Sequence, residues 1–242
     1  MIQISGNACL LADRGMVPLS QGSVIDRWRQ RNRPPVLIIS VYRSDTVLLD
    51  IGLLVAAYLL GAISWGKLFG KMCGVDLLQV GSGSTGGTNA LRAMGPVIGL
   101  IVGLLDCGKG VAAVWLARQF ATAEWVAFAA GLIVVVGHNY SIFLKFKGGK
   151  GIATTAGVYL VLTPLALACA IPVSLLAIFL TRYVSLGSLI FVAQMPLFIL
   201  TINPQSGIIV LAVLLAVMAF IRHSGNIKRL VGGNERRLGE KA

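Results

Sequence analysis

One stretch of small and polar residues ends in an arginine and could bind an anion. It reads GSGSTGGTNALR over residues 81–92 and contains Ser82, Thr88, Asn89 and Arg92. Small residues let backbone N–H groups and hydroxyls converge on a phosphate, and a guanidinium offers it a bidentate fork. The G-x-G-x-x-G pattern inside it does not predict a dinucleotide site, because that motif must follow a strand. A flexible loop is the alternative interpretation.

A second stretch, KFKGGKG over residues 145–151, places lysines beside glycines. It precedes an apolar segment, so the amides of Gly148, Gly149 and Gly151 and the start of the next helix can face the anion that Lys150 attracts. The alternative is three lysines that extend to lipid headgroups. Lys150 suits that alternative least, because it lies between two glycines.

Near the C-terminus, His223 and Asn226 are three residues apart and therefore share one helix face. The imidazole could accept a proton or donate a hydrogen bond to phosphate. Together with Arg92 and Lys150, this pair suggests a site for one or two phosphorylated ligands. The sequence contains no Cys/His nucleophile pair, metal-ligand cluster or carboxylate dyad. We therefore expect chemistry in which phosphate groups are held and polarised, with no metal and no cofactor.

Asp106 and Lys109 lie inside an otherwise apolar segment. At a spacing of three residues the two charges can neutralise one another, which lowers the free-energy cost of burying them in a membrane. We expect a buried pair that supports a neighbouring loop, and a direct chemical role is the second choice.

Long apolar segments must position these loops. The chain of 242 residues is 56% apolar and 12% charged, with a mean hydropathy of +0.83. A soluble domain carries about twice that charged fraction, and several apolar runs approach the roughly 20 residues that cross a bilayer. We predict an all-α polytopic membrane protein with seven transmembrane helices, at 46–70, 96–118, 124–143, 151–163, 165–181, 185–202 and 206–221.

The distribution of basic residues sets the predicted topology. The loops after the first, third, fifth and seventh segments hold thirteen Lys and Arg residues, whereas the opposite connections have only Arg118 nearby. Basic loops stay on the cytoplasmic side, so the C-terminus is predicted to be cytoplasmic and the N-terminus outside. One kinked helix over 151–181, with Pro164 and Pro172 inside it, is the alternative, but it would move the basic tail to the wrong side.

The first 45 residues do not fit that pattern, because six arginines fall on the outer side. We expect residues 1–45 to be a disordered extension or to precede the start that is used, and residues 46–242 to form the membrane domain. The net charge of +12 does not indicate nucleic acid, since hardly any soluble surface remains for it.

Four motifs, in order, resemble one family. The family's GSGNxGATNxLR corresponds to residues 81–92, its D-x-x-K-G to 106–110, its FKGGKG followed by IAT to 146–154, and its H-x-x-N-I-x-R-L to 223–230. The resemblance runs from about Leu53 to Glu235. It is to the bacterial membrane glycerol-3-phosphate acyltransferases that use acyl phosphate as donor, the PlsY family.

The resemblance implies seven spans, a bacterial inner-membrane location and a site on the cytoplasmic face. It implies transfer of a fatty acyl group from acyl phosphate to the 1-hydroxyl of glycerol 3-phosphate, which gives lysophosphatidic acid and phosphate. This is the first step of phospholipid biosynthesis. A substrate phosphate itself would take the hydroxyl proton, the acyl chain would lie between helices, and a partner enzyme would supply acyl phosphate. By resemblance, the site would be lined by Ser82, Arg92, Lys150, Ser188, His223 and Asn226, with Glu235 as structural support.

Three positions depart from the family pattern. Ser84 and Gly87 stand where Asn and Ala are usual, so the 81–92 loop is expected to be looser, and Gly225 stands where Glu is common. Two other functions stay open at this point: a transporter of an organic phosphate, and a silent homologue that assembles with lipid enzymes.

Overall fold

The computed structural model describes residues 44–240, which contain helices and no strand. Most of the 1–45 extension therefore lies outside the described residues. The α-helices are α1 (Ser44–Ala62), α2 (Trp65–Met72), α3 (Gly87–Met94), α4 (Pro96–Phe120), α5 (Glu124–Asn139), α6 (Ile152–Leu162), α7 (Pro164–Thr181), α8 (Val184–Ile202), α9 (Ser206–Arg222) and α10 (Ser224–Val231).

Each of the seven predicted apolar segments is helical in the structure, the first as two helices, and the all-helical class is confirmed for the described residues. By length and composition, 46–72, α4, α7 and α8 can each cross a membrane. The α9 and α10 helices, bent by 63° at their junction, make a fifth candidate as a pair. Helices α5 and α6 are shorter, with 16 and 11 residues.

The first predicted segment, 46–70, is interrupted after Ala62. Helix α2 begins again beyond Ser64, whose hydroxyl caps it by accepting the Lys67 N–H at 3.3 Å. The break leaves backbone carbonyls without helical partners, and the Lys109 Nζ donates to those of Gly61 and Ile63 at 2.8 and 3.0 Å. The sequence did not predict this break, because the acceptors for Lys109 come from a helix distant in the chain.

Glycines let the helices cross backbone against backbone. An added Cβ at Gly110 of α4 would overlap the Thr154 carbonyl of α6, and one at Gly157 of α6 would overlap the Cys107 carbonyl. Small residues are common where membrane helices approach closely, since they allow extensive van der Waals contact. Residues of the 81–92 and 145–151 segments, which lie before these two helices in the chain, line one cavity.

This packing predicts a contrast between two glycines of α4. Gly110→Ala should destabilise the protein by roughly 1–3 kcal/mol, because the methyl group has no space against Thr154. Gly108→Ala should be neutral or stabilising by up to about 1 kcal/mol, since no atom lies within 4 Å of its added Cβ and alanine favours helix. Thermal unfolding of both variants in the same detergent measures the difference, and equal midpoints would contradict the proposed contact.

Candidate active site

A cavity of about 610 Å³ opens at the end of the bundle where the glycine-rich loops lie. The structure brings all five predicted catalytic residues to its wall, together with four of the predicted substrate-binding residues. These are Ser82, Arg92, Lys150, His223 and Asn226, and Thr88, Asn89, Gly151 and Ser188. The remaining wall is mainly apolar and comes from α4, α6, α7 and α8. One cavity thus has a cationic polar end and an apolar end.

Asn89 organises the loop that carries Ser82. Its amide nitrogen donates to the carbonyls of Leu77 and Ser84 at 3.0 and 2.9 Å, and its amide oxygen accepts the Ser82 N–H at 2.9 Å. The side chain is buried, and both ends of the amide are used within the protein. We infer that Asn89 acts on a ligand through the position of Ser82.

Gly87 begins α3 against the backbone of α4. An added Cβ would lie 2.8 Å from the Gly99 oxygen and 3.1 Å from the Gly103 nitrogen. The loop is therefore packed closely at the position where the sequence departs from the family, and the expected looseness is not seen there. Ser84, the other departure in this loop, is buried.

Arg92 of α3 and Lys150 of the 145–151 loop supply positive charge from two parts of the chain. The Lys150 ammonium donates to the Asn226 side-chain oxygen at 2.6 Å, and the Arg92 guanidinium donates to the Arg236 carbonyl at 3.3 Å. Burial lowers the pKa of Lys150 to about 8, against the opposing effect of the Glu235 carboxylate. Burial also lowers the pKa of Arg92, which the same carboxylate opposes. Both cations are partly desolvated and would gain from an anionic ligand.

Glu235 holds the C-terminal segment against the site. Its carboxylate accepts hydrogen bonds from Asn226 Nδ2 at 2.6 Å, Ser185 Oγ at 3.0 Å and Arg229 Nε at 2.9 Å. Burial would raise its pKa, but the bonds from Asn226 and Ser185 and the charge of Arg229 lower it overall. The bond from Asn226 Nδ2 turns that residue's amide oxygen toward Lys150. This is the placement that the predicted supporting role requires.

His223, which follows the last residue of α9, is buried beside Lys150. Its Nδ1 lies 2.8 Å from the Ala219 carbonyl, which can only accept, so Nδ1 carries a proton and Nε2 remains for a ligand. Burial lowers the pKa of His223 to about 4, and the Lys150 charge adds to the shift. At neutral pH the free imidazole is therefore uncharged, and its Nε2 is an acceptor.

Gly148 and Gly149 were predicted to contact a ligand, but they do not line the cavity. An added Cβ at Gly148 would overlap the His138 carbonyl, and one at Gly149 would overlap the His138 ring. These two glycines let the loop lie directly on the end of α5. Gly151, with a φ of 82°, lines the cavity and begins the turn into α6.

Arg222 fixes the same loop from the other side, and sequence reasoning missed it as a site residue. Its guanidinium donates to the Gly149 carbonyl at 2.9 and 3.1 Å and to the Gly148 carbonyl at 3.3 Å. It also lies 5.0 Å from the ring centre of Tyr140. The carbonyls of Gly148 and Gly149 each need a hydrogen-bond donor, and this was the signal in the sequence. Only the fold shows that Arg222 is that donor.

A second charged group lies at the floor of the cavity. The Asp106 carboxylate is 3.0 Å from the Lys109 Nζ, so these two residues, three apart in the sequence, form the expected pair. The same carboxylate is 3.5 Å from the His138 Nδ1. All three side chains are buried, and Asp106 and His138 line the cavity whereas Lys109 does not. The sequence did not single out His138. Pairing offsets much of the cost of burying these charges.

No cluster of three or more His, Cys, Asp or Glu side chains within residues 44–240 could hold a metal ion. The groups that line the cavity offer cationic donors at one end and an apolar wall at the other. Such a cavity can bind a molecule that carries both a phosphate group and an acyl chain.

Comparison with known proteins agrees with this chemistry. A protein-family model described as glycerol-3-phosphate acyltransferase matches residues 51–233. This chain belongs to the glycerol-3-phosphate acyltransferase family.

Relatives with that name are similar over nearly their whole length. The Symbiobacterium thermophilum protein is 43% identical over 192 residues, which cover 79% of this chain and 96% of the relative. A Thermus thermophilus protein is also 43% identical, over 78% of this chain and 95% of the relative.

Two crystal structures of PlsY, an integral membrane glycerol 3-phosphate acyltransferase, are similar in fold. The glycerol 3-phosphate form has a TM-score of 0.76 and 38% identity, and covers 78% of this chain and 96% of that one. The lysophosphatidic acid form has a TM-score of 0.73 and 37% identity, with 78% and 95% covered.

The contacts of Arg222 predict that its shape matters as well as its charge. Arg222→Lys should weaken binding of glycerol 3-phosphate by about tenfold, because an ammonium group cannot reproduce the planar fork on the loop carbonyls together with the contact over the Tyr140 ring, and Lys150 then loses its position. Isothermal titration calorimetry measures the dissociation constant. Arg118→Lys is the matched control, since that arginine donates to the single carbonyl of Val161 and does not line the cavity. Equal affinities in the two variants would contradict the prediction.

Proposed function

We propose that this protein transfers a fatty acyl group from acyl phosphate to the 1-hydroxyl of sn-glycerol 3-phosphate, which gives lysophosphatidic acid and inorganic phosphate. The observation that carries the proposal is the two-part cavity, in which Arg92 and Lys150 lie at one end and an apolar wall at the other. Membership of the glycerol-3-phosphate acyltransferase family supports glycerol 3-phosphate as the acyl acceptor. The product would enter phospholipid biosynthesis at its first step.

The cationic end holds the phosphate groups. The Arg92 guanidinium and the Lys150 ammonium neutralise phosphate charge, and the Ser82 and Ser188 hydroxyls at the same wall can donate to phosphate oxygens. Two phosphates meet in this reaction, one on each substrate, so the site needs more than one cation. Charge-assisted hydrogen bonds from fixed donors would stabilise the developing negative charge more than mobile water could.

The reaction itself needs no protein nucleophile. The 1-hydroxyl oxygen of glycerol 3-phosphate attacks the acyl carbonyl carbon, a C–O ester bond forms, and the bond from that carbon to the phosphate oxygen breaks. Phosphate leaves as an anion held by the cations, and a substrate phosphate oxygen takes the hydroxyl proton. The neutral Nε2 of His223 can accept a hydrogen bond from the glycerol moiety and orient it.

The apolar end suits the acyl chain. Gly103 of α4 leaves open space at the wall, since an added Cβ there meets no atom of another part of the protein within 4 Å. Leu175 and Phe191 belong to the facing side of the cavity. An acyl chain between these helices would have access to the lipid bilayer from which the donor arrives.

We further propose that the chain crosses the bacterial inner membrane seven times, with the N-terminus outside and the C-terminus and active site on the cytoplasmic side. The asymmetry of the basic loops supports this topology. Helix α6, with 11 residues, would be the shortest span. Residues 46–242 would form the acyltransferase domain, and the 1–45 extension would not be needed for turnover. An enzyme that makes acyl phosphate would supply the donor.

The function is tested with purified protein, acyl phosphate and labelled glycerol 3-phosphate. We expect labelled lysophosphatidic acid, and at least about a hundredfold loss of turnover in Lys150→Ala and His223→Ala, since these side chains contact the reacting groups. Lys228→Ala, which changes an exposed lysine outside the cavity, is the control. Folding is checked by thermal unfolding. Failure of the wild type to make lysophosphatidic acid would refute the proposed acyltransferase function. Uptake of glycerol 3-phosphate into sealed vesicles that contain the protein would instead support a transporter.

The pKa of Lys150 predicts a basic limb in the pH profile. With that pKa lowered to about 8, the ammonium is charged below pH 8 and loses its proton above it. We expect kcat/KM for glycerol 3-phosphate, which reports the free enzyme, to fall by about tenfold per pH unit at higher pH. Lys150→Arg keeps its charge over this range, so its profile should lack the limb even if its maximum is lower. The same limb in both proteins would contradict the assignment.

A further inference from the structure

The segment between α5 and the Lys150 loop has an unusual backbone. After one 3₁₀ turn over Ile142–Leu144, Lys145 and Phe146 both adopt the left-handed conformation, with φ of 53° and 60°. The Phe146 N–H donates to the Ser141 carbonyl at 2.8 Å, and the Ser141 hydroxyl donates to the Ala62 carbonyl at 2.6 Å. These bonds hold the turn in place against the end of α1.

Glycine would adopt this backbone without strain, whereas lysine and phenylalanine do so at a cost in free energy. Glycine is also the usual residue where a helix ends in the left-handed conformation. Within residues 44–240, Arg182 is the sole other non-glycine residue with a positive φ. The chain therefore retains two large side chains at adjacent positions that favour glycine.

Both side chains are exposed at the surface of the described residues. The Phe146 side chain is 62% exposed, and the exposed Lys145 makes no side-chain hydrogen bond or ion pair within the described residues. The backbone hydrogen bonds of the turn hold this conformation, and both side chains are left at the surface, where they can contact a ligand.

Further apolar and basic residues surround this turn. Phe143 is 64% exposed, and Phe143 and Leu144 form one side of an open groove whose other side is α2. We define the rim patch as Leu68, Lys71, Met72, Ile142, Phe143, Lys145, Phe146 and Lys147. The patch carries three lysines and no acidic residue, and the nearby Asp76 is paired with Lys67 at 2.7 Å.

We propose that the rim patch binds anionic lipid headgroups at the bilayer surface and thereby seats the Lys150 loop at that surface. Aromatic and aliphatic side chains among lysines are typical of the interface between hydrocarbon and anionic headgroups. The patch also lies where α1 ends, next to Ala62, and is continuous with apolar helices. A soluble acidic protein would match the lysines but would leave the phenylalanines beside lipid without a role.

The proposal has a consequence for the site, and this consequence rests on the proposed function. Lys147 is followed directly by Gly148 and Gly149, whose carbonyls Arg222 holds, and then by Lys150. A rim patch bound to lipid would steady this short loop from the outside, as Arg222 does from the inside. Anionic lipid should therefore lower the KM for acyl phosphate, which reaches the site from the bilayer.

A fluorescence experiment tests lipid contact without any turnover. The F146W variant is reconstituted in phosphatidylcholine vesicles with and without phosphatidylglycerol, each containing brominated lipid, and the wild-type signal is subtracted. We expect at least about twofold stronger quenching with phosphatidylglycerol. Replacing Lys145 and Lys147 by glutamine in the same variant should abolish the difference. Equal quenching in the two kinds of vesicle would overturn the proposal. A fluorescence change caused by an added soluble acidic protein, with equal quenching in the two vesicles, would overturn it as well.

A second experiment separates lipid binding from folding. Phe146→Gly relieves the strained backbone, so its unfolding midpoint in detergent should rise by a few degrees. In vesicles, phosphatidylglycerol should lower the KM of the wild type for acyl phosphate by about fivefold. The Phe146→Gly variant should not show this fall. Val231→Ser, at an exposed apolar residue outside the patch, is the control and should keep it. A wild type without turnover would refute the proposed function alone, whereas lipid-dependent KM in Phe146→Gly would refute the rim patch.

Discussion

The Glu235 carboxylate is the counter-charge on which the polar end of the cavity depends. Several cations lie close together there, and each loses hydration as the apolar bundle surrounds it. Glu235 is buried, accepts from Ser185 of α8 and Asn226 of α10, and opposes the loss of charge on Arg92 and Lys150. One carboxylate thus joins a membrane helix, the helix after His223 and the C-terminal segment. Without it, the cations would repel one another with no ligand present.

Close helix packing makes the second contribution. Gly110 and Gly157 bring α4 and α6 together, and residues of the segments that precede these helices line the same cavity. Gly87 brings α3, the helix that carries Arg92, onto Gly99 of α4 in the same way. The glycines therefore act mainly on backbone distances, and they position charged side chains that come from loops far apart in the sequence.

Much of this arrangement could be predicted from the sequence, because hydrophobic length and basic-loop asymmetry are local signals. They located seven apolar segments that are helical in the structure, and loop composition selected Arg92, Lys150, His223 and Asn226, which the fold brings to one cavity. Long-range contacts were less accessible. Arg222 and His138 both contact the Gly148–Gly149 loop, which is distant from Arg222 in the chain. The break after Ala62 likewise involves Lys109, which belongs to another helix. Asn89, which was predicted to contact the ligand, lines the cavity, and its hydrogen bonds to Leu77 and from the Ser82 N–H could not be foreseen from the sequence.

The partners of the two cations differ in how easily a ligand can replace them. Lys150 donates to an amide oxygen that Glu235 orients, whereas the hydrogen bond that Arg92 makes within the described residues goes to the Arg236 carbonyl at 3.3 Å. A phosphate oxygen is a stronger acceptor than a neutral carbonyl, because the bond is charge-assisted at both ends. Arg92 therefore gains more than Lys150 by exchanging its partner for phosphate. Since Arg236 follows Glu235 directly, that exchange would release one contact of the C-terminal segment while Glu235 keeps the segment in place.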